Sequence, residues 1–343
     1  MTLDYSKLQN GSDIRGVALV GDDGKAVNLT RVETLRLTMG FAKWLSAKCG
    51  KEYKDLKVSV GHDSRLTAEV LKAAICDAFN HLGVEVIDCG LASTPAMFMS
   101  TIFEDFKCDG AIMITASHLP FNRNGFKYFD KDGGLNKADI TAIIRNAESL
   151  ELPETIEAAT PKKADLIATY SAHLRKKIIE EVNHPACYEK PLTGLRIVVD
   201  AGNGAGGFYA SKVLEPLGAD ISSSQFLEPD GTFPNHAPNP ENKEAMFFMA
   251  SALEETGLND KAIKIFMHLR PDPIFGAQSC LEAGSIHEKQ GLYDKAIQDY
   301  EIAIKLENVQ KDLKINVCYR LANAYIAKHD ISKALTYLRQ IQA

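Results

Sequence analysis

The chain has 343 residues, 45% hydrophobic and 24% charged, enough for two or three domains with sizeable cores and ordinary for a soluble globular protein. A net charge of −6 argues against nucleic acid as the main partner, because phosphate backbones attract basic faces. No run approaches the roughly 18 uncharged apolar residues of a membrane span, and the start, MTLDYSKLQNGSDIRG, lacks the basic and apolar regions of a signal peptide, so no membrane partner is expected.

From residue 1 to about 150, short apolar runs alternate with longer amphipathic ones. LKVSVG (Leu56 to Gly61) reads as a buried strand and AEVLKAAICDAFNHLG as an amphipathic helix that stops at Gly83. VEVIDCG and GAIMIT read as further strands closed by turn residues. That rhythm predicts a layered α/β domain over 1–150. A charged, helix-favouring stretch from about 139 to 182 leads onward. Within it LELPETIEAATPKKAD carries two prolines and little periodicity, so 151–190 is expected to be a connecting helix and linker.

In 191–245, GLRIVVDAGNGAGGFYASKVLEPLGADI predicts a strand, a glycine loop and a helix, and GADISSSQF predicts another strand. Gly202, Gly204 and Gly207 fit a G-x-G-x-x-G dinucleotide fingerprint, with Asp220 near a following strand for a ribose contact. The plainer reading of the same glycines is a tight strand-to-helix turn. Further on, Asp230, His236 and Glu241 could be imagined as a metal cluster, but their proline- and asparagine-rich stretch reads as a surface loop.

After Ala245 the strand signals stop and amphipathic helices follow in pairs. GLNDKAIKIF begins at Gly257 and GLYDKAIQDY at Gly291, a spacing of 34. Ala250 and Gly284 precede these glycines, and Ala262 and Ala296, then Phe266 and Tyr300, follow them. A third copy, with Leu321, Ala322, Tyr325, Ala334 and Leu338, is displaced by 38. Small residues let two helices approach closely, and the aromatics fill the space between successive hairpins. The pattern resembles the tetratricopeptide repeat, with three copies over 246–343, and implies a peptide or protein partner. Seven cysteines, at 49, 76, 89, 108, 187, 280 and 318, include no CxxC. They suggest neither a disulfide framework nor a zinc knuckle, but reduced thiols in a cytoplasmic protein.

The candidate chemistry centres on ITASHLPFNRNGFKYF, residues 114–129. A serine becomes nucleophilic through a base, a metal or surrounding positive charge. His118 neighbours Ser117, but adjacent side chains on extended backbone point apart, and the G-x-S-x-G elbow is absent. Arg123 and Lys127 follow, with a turn at Asn124-Gly125. Cations gathered around a serine suit a phosphate better than an acyl group.

The string TASHLPFNRNGFK resembles the active-serine loop of the α-D-phosphohexomutases, the phosphoglucomutases and phosphomannomutases. NGSDIRG is similar to that family's opening motif, GHDSR at 61–65 to its arginine loop, and VVDAGNGAGG at 198–207 to the start of its second domain. PDGTFPNHAPNPENKEAM at 229–246 resembles the stretch leading to its metal loop. The resemblance implies an α/β fold of three-layer phosphohexomutase-like domains, the second incomplete, followed by the all-α repeats. It implies an intramolecular phosphotransferase, with Ser117 carrying a phosphoryl group between C1 and C6 of a hexose phosphate. Lys127 and Arg15 match positions of proton transfer and charge stabilisation, Arg65 matches an arginine near the phosphoserine, and His118 lines the same loop. Leu119 stands where Asn is commoner.

Mg²⁺ is the cofactor that the resemblance implies, and a phosphoserine oxygen on Ser117 would be one ligand. The three aspartates of the family's metal loop are absent, since no D-x-D-x-D occurs anywhere, and so are its sugar-specificity and distal phosphate loops. The expectation is therefore a truncated mutase with little or no full activity. The alternatives are a repeat-based adaptor, or an artificial or accidental fusion joined near 245–250.

Overall fold

The computed structural model describes residues 4–21, 24–239, 242–306 and 309–342. They divide into two units, 1–195 with 201–221 and 226–238, and 196–200 with 222–225 and 239–343.

The first unit is built on one mixed sheet. Its strands are β1 (Gln9–Asn10), β2 (Asp13–Val17), β3 (Lys57–His62), β4 (Glu85–Leu91), β5 (Gly110–Ile114), β6 (Arg123–Asp130), β7 (Gly133–Gly134) and β8 (Lys162–Lys163). The order is β1-β2-β6-β5-β3-β4-β8, with β7 on β6. β5, β3, β4 and β8 run parallel, while β6 lies antiparallel to β5 and β2. The period-2 alternation of a strand divides the core. Ile112 and Ile114 face a cluster with Phe41, Leu45 and Phe79, whereas Ala111 and Met113 face Met97, Leu166 and Tyr170. Helices α1 (Arg31–Cys49), α2 (Ala68–Leu82) and α4 (Lys137–Ser149) cover the first face, and α3 (Thr94–Met99) and α5 (Leu166–Val182) the second. A layer of helices on each face explains why β5 is buried along its whole length.

The three strands expected over 1–150 and the AEVLKAAICDAFNHLG helix are all present. The expected linker is not loose. Leu150, Leu152 and Ile156 pack on Leu35, Met39, Ala74 and Ala78, the Ala159 N–H donates to Asp77 at 2.7 Å, and Lys162–Lys163 pairs with β4. Two prolines remove the helical option without removing the apolar side chains, so the segment lies along α1 and α2 as a strap.

The glycine loop departs further from expectation. No strand forms over 191–239 among the described residues; pairing there is confined to isolated bridge residues, Asp200 lying parallel to Gln225. The chain then makes a three-residue 3₁₀ turn, Ala205–Gly207, and a six-residue π-helical turn, Tyr209–Leu214. A dinucleotide site needs a strand before the loop and a regular α-helix after it; here no strand precedes the loop and only a short π-helix follows it. The half-buried Ile197, Val198 and Val199 have strand-forming chemistry but too few paired neighbours.

The second unit carries α6 (Lys243–Glu255), α7 (Asn259–Leu269), α8 (Gly276–Lys289), α9 (Tyr293–Lys305), α10 (Lys311–Ala327) and α11 (Ile331–Gln342), packed as three consecutive pairs. Gly257, Gly291 and His329 take left-handed backbone, with φ of 77°, 74° and 61°, at the turn within each pair. The three helix pairs therefore turn on the same left-handed backbone, and the third has histidine where the others have glycine. Ala250, Ala262, Phe266, Ala296, Tyr300, Leu321 and Ala322 are fully buried. A Cβ on Gly284 would lie 2.4 Å from the Tyr300 ring, so the small residue sets how closely α8 meets α9. All seven cysteines are free thiols, five of them buried. No helix of the described residues is long and apolar enough to cross a membrane.

Candidate functional site

Ser117 lies just beyond the end of β5, where the backbone leaves the sheet. Thr115 still bonds the neighbouring strand, its N–H donating to the Gly125 carbonyl at 3.0 Å. Two residues later the chain turns out, and Ser117 is exposed with φ of +55°. For a residue with a Cβ this left-handed backbone costs about 1–2 kcal/mol, so something must hold it.

Part of that hold is Thr115, whose hydroxyl accepts from the Ser117 N–H at 3.0 Å and donates to Asp63 at 2.6 Å. The rest is Arg65, which is 2% exposed. Its Nη1 donates to the carbonyls of Pro120 (2.8 Å) and Arg123 (3.0 Å), and its Nη2 to those of Ser117 (2.8 Å) and Leu119 (2.7 Å). Its Nε lies 3.3 Å from Asp63. Burial pulls the pKa of this guanidinium below its ordinary value, while Asp63 opposes the shift. An arginine with four carbonyl partners is committed to the loop's backbone. Arg65, expected beside the active serine, bonds the loop's carbonyls and not the Ser117 hydroxyl.

Arg15 and Lys127 come from adjacent strands. Arg15 on β2 stands opposite Gly125, and Lys127 on β6 stands opposite Met113 of β5. Arg15 donates to the Thr115 carbonyl at 2.8 Å and lies 3.4 Å from the Ser117 hydroxyl. One oxygen of Asp13 accepts from both Arg15 (2.8 Å) and Lys127 (2.6 Å). Two cations against one carboxylate leave the mouth beside Ser117 locally positive, suited to an incoming phosphate. His118 is exposed on the loop beside Ser117.

The fifth motif joins the same site. Asp230 caps a tight turn, accepting from the Thr232 N–H (2.9 Å) and hydroxyl (2.7 Å), and these bonds lower its pKa. Gly231 backs onto the arginine loop so closely that a Cβ would stand 2.4 Å from the Ser64 carbonyl. The Phe233 ring lies over the Arg65 guanidinium at 5.3 Å. Asn203 of the glycine loop holds this segment: its N–H donates to the Phe226 carbonyl, its carbonyl accepts from the Asp230 N–H, and its side chain bonds Glu228 and Asn235.

Asp230 and His236 do not form the imagined metal cluster. Asp230 is engaged in its turn, and His236 is buried with Nδ1 2.9 Å from the Ala237 carbonyl and its ring against Phe226. Glu241 lies outside the described residues. Among the described residues no three His, Cys, Asp or Glu side chains converge as metal ligands. Asp13 and Asp63, the carboxylates beside Ser117, are tied to Arg15, Lys127, Thr115 and Arg65. The donor set present does not fit Mg²⁺.

Sequence reasoning named Arg15, Arg65, Ser117, His118 and Lys127 but missed Asp13, Asp63 and Thr115, which lie inside or beside the same motifs. Acidic residues within a cation-rich motif were the available signal. Phe233 gave none.

The phosphoglucomutase/phosphomannomutase α/β/α domain I matches residues 6–153, domain II of the same family matches 168–272, and a tetratricopeptide repeat matches 277–309. A phosphoglucosamine mutase of Nautilia profundicola is 33% identical over 216 residues, 62% of this chain and 45% of that one. A phosphomannomutase/phosphoglucomutase of Pseudomonas putida is 31% identical over 219 residues, 63% of this chain and 44% of that one. A phosphoglucomutase/phosphomannomutase family protein of Burkholderia thailandensis superposes with a TM-score of 0.54 at 26% identity, covering 69% of this chain and 47% of that one. The chain thus spans a little under half the length of the curated relatives it matches. With domain I and domain II profiles of one family matched in chain order over 6–153 and 168–272, the chain belongs to the phosphoglucomutase/phosphomannomutase family, its two mutase domains followed by a tetratricopeptide repeat.

Proposed function

We propose that Ser117 is a phosphoryl carrier of phosphohexomutase type. A phosphorylated Ser117 would donate its phosphoryl group to a hydroxyl of a hexose monophosphate. The serine O–P bond breaks, the sugar O–P bond forms, and the hydroxyl proton leaves to a base. The reverse transfer from the other end of the sugar bisphosphate restores the phosphoserine. Phosphoryl transfer depends mainly on positioning and charge neutralisation. The observation that carries the reading is an exposed serine hydroxyl on an enforced left-handed turn, 3.4 Å from Arg15, with Lys127 linked to Arg15 through Asp13. In this reading Arg15 neutralises the phosphate, Lys127 handles the proton, and His118 borders the sugar. No step runs through Mg²⁺, because the described carboxylates do not provide its site. The relatives' names leave glucose, mannose and glucosamine phosphates as substrates to compare.

The repeats support a second, compatible role in binding a peptide. A cavity of about 700 Å³ in the helical unit is lined by Phe247, Pro271, Ile274, Phe275 and Leu313, and Ile274 is 79% exposed. The free, mostly buried thiols favour a reducing compartment, the cytoplasm.

Incubation of the full chain with glucose 1,6-bisphosphate and Mg²⁺, followed by intact mass and peptide mapping, tests the carrier role. One phosphoryl adduct on Ser117, missing from Ser117→Ala, is expected, with little conversion of glucose 1-phosphate. No adduct on Ser117 would overturn the proposal.

A further inference from the structure

We infer that the turn at 230–233, through Gly231 and Phe233, is a positioning element for the nucleophile loop. The function of the loop rests on the reading of Ser117 above; the mechanical coupling does not.

The argument starts from the strained serine. A residue at φ of +55° relaxes unless the peptide groups around it are held. Arg65 holds the carbonyl of Ser117 itself and three others across 119–123. All four of these bonds use the guanidinium's donor edge. Its face is free of them, and Phe233 covers that face at 5.3 Å. The ring attracts the cation and keeps water from the hydrogen bonds beneath it, which strengthens them. Gly231 makes this approach attainable, because any Cβ there would strike the Ser64 carbonyl and lift the turn off the arginine loop. Asn203 then fixes the turn from the other side, with left-handed backbone of its own (φ +58°) and its 2.8 Å bond from the Asp230 N–H.

A continuous path results. It runs from the glycine loop at Asn203 to the turn, from the turn to Arg65, and from Arg65 to the backbone of Ser117. The glycine-rich motif, which offered a nucleotide reading, serves in this path as the seat of a clamp. Phe233 touches no reacting atom; it acts through Arg65.

The test compares full-length wild type with Phe233→Leu, Phe233→Tyr and Gly231→Ala by hydrogen–deuterium exchange and by the rate of phosphoryl uptake from glucose 1,6-bisphosphate. Phe233→Leu and Gly231→Ala should raise exchange at the Leu119 and Arg123 amides about tenfold, as expected for losing a buried cation–π contact. Amides of α1 and α2 should stay protected, and Phe233→Tyr should restore the wild-type pattern. Uptake on Ser117 should slow in parallel and recover in Phe233→Tyr. Unchanged exchange at 115–123 in both disrupting variants overturns the inference, even if Ser117 takes up phosphate normally. A uniform rise across the α/β unit in both overturns it too, because the turn would then support the fold and not the loop. Failure of wild type to take up phosphate counts against the carrier role alone, and the exchange result still decides the coupling.

Discussion

Arg65 holds Ser117 by its backbone, Nη2 donating to the serine carbonyl at 2.8 Å, while the serine hydroxyl faces a different arginine, Arg15, at 3.4 Å. The two arginines thus divide the work of the site. One is buried and holds the loop's backbone; the other, paired with Asp13, faces the serine hydroxyl.

That division separates two conservative substitutions. Arg65→Lys replaces a planar fork by one ammonium that cannot span four carbonyls, leaving several of them buried without donors. It should destabilise the α/β unit by about 2–4 kcal/mol. Arg15→Lys should change stability by less than about 1 kcal/mol and still slow phosphoryl uptake at least tenfold, since one ammonium cannot reach Thr115, Asp13 and Ser117 as the fork does. Urea unfolding followed at Trp44, the single tryptophan and part of the first-face core, reads the first effect, and phospho-Ser117 mass kinetics the second. Equal losses of stability would contradict the division.

Ser117 offers a cleaner test of strain. Glycine accepts left-handed backbone at no steric cost, whereas alanine keeps the Cβ penalty. Ser117→Gly should therefore be more stable than Ser117→Ala by about 1 kcal/mol, with no phosphoryl adduct in either. The reverse order of urea midpoints would show that the turn is not under strain.

The sheet was legible because its strands are apolar runs bounded by turn residues, and the repeats because Ala250, Ala262 and Phe266 recur as Gly284, Ala296 and Tyr300 in register. Arg15, Ser117 and Lys127 were legible through motif resemblance. The division of labour between Arg15 and Arg65 was not, since it depends on which carbonyls a guanidinium reaches across 52 to 58 residues. The packing of the 150–165 linker was not legible for a related reason: propensity rules out a helix there but cannot see Leu35 and Ala74 waiting for Leu150 and Ile156. The strand expected before the glycine loop failed because a strand needs a continuous partner, and 196–200 makes isolated bridges instead, such as that of Asp200 with Gln225. Domain II of the family matches as far as residue 272, although 243–269 fold as a helical pair.

Within the repeats, Gly284 and Tyr300 should behave as a coupled pair. Gly284→Ala gains about 1 kcal/mol of helix propensity but forces a Cβ toward a ring atom at 2.4 Å, and overpacking costs about 1–3 kcal/mol. A net destabilisation is expected. Combining Gly284→Ala with Tyr300→Leu should cost less than the sum of the two single changes, because the smaller side chain removes the clash. Thermal melts of the four proteins by circular dichroism at 222 nm give the cycle; strict additivity would show that the close approach is not limiting.

Glu282 on α8 provides a pH test. Burial raises its pKa above the usual 4.5, Glu254 adds to the rise, and Gln278, Lys289 and Arg320 oppose it. The folded state therefore holds this proton more tightly than the unfolded chain. Its contribution to stability falls as pH rises from 4.5 through the raised folded-state value, and is unfavourable at neutral pH. Glu282→Gln keeps an amide that can bond Gln278 and removes the titration. The variant should be more stable than wild type at pH 7, with the advantage shrinking as pH approaches 4. Urea midpoints at the two pH values measure this. An advantage that grows on acidification would mean that the charged form of Glu282 is the one the fold favours, reversing the assigned direction.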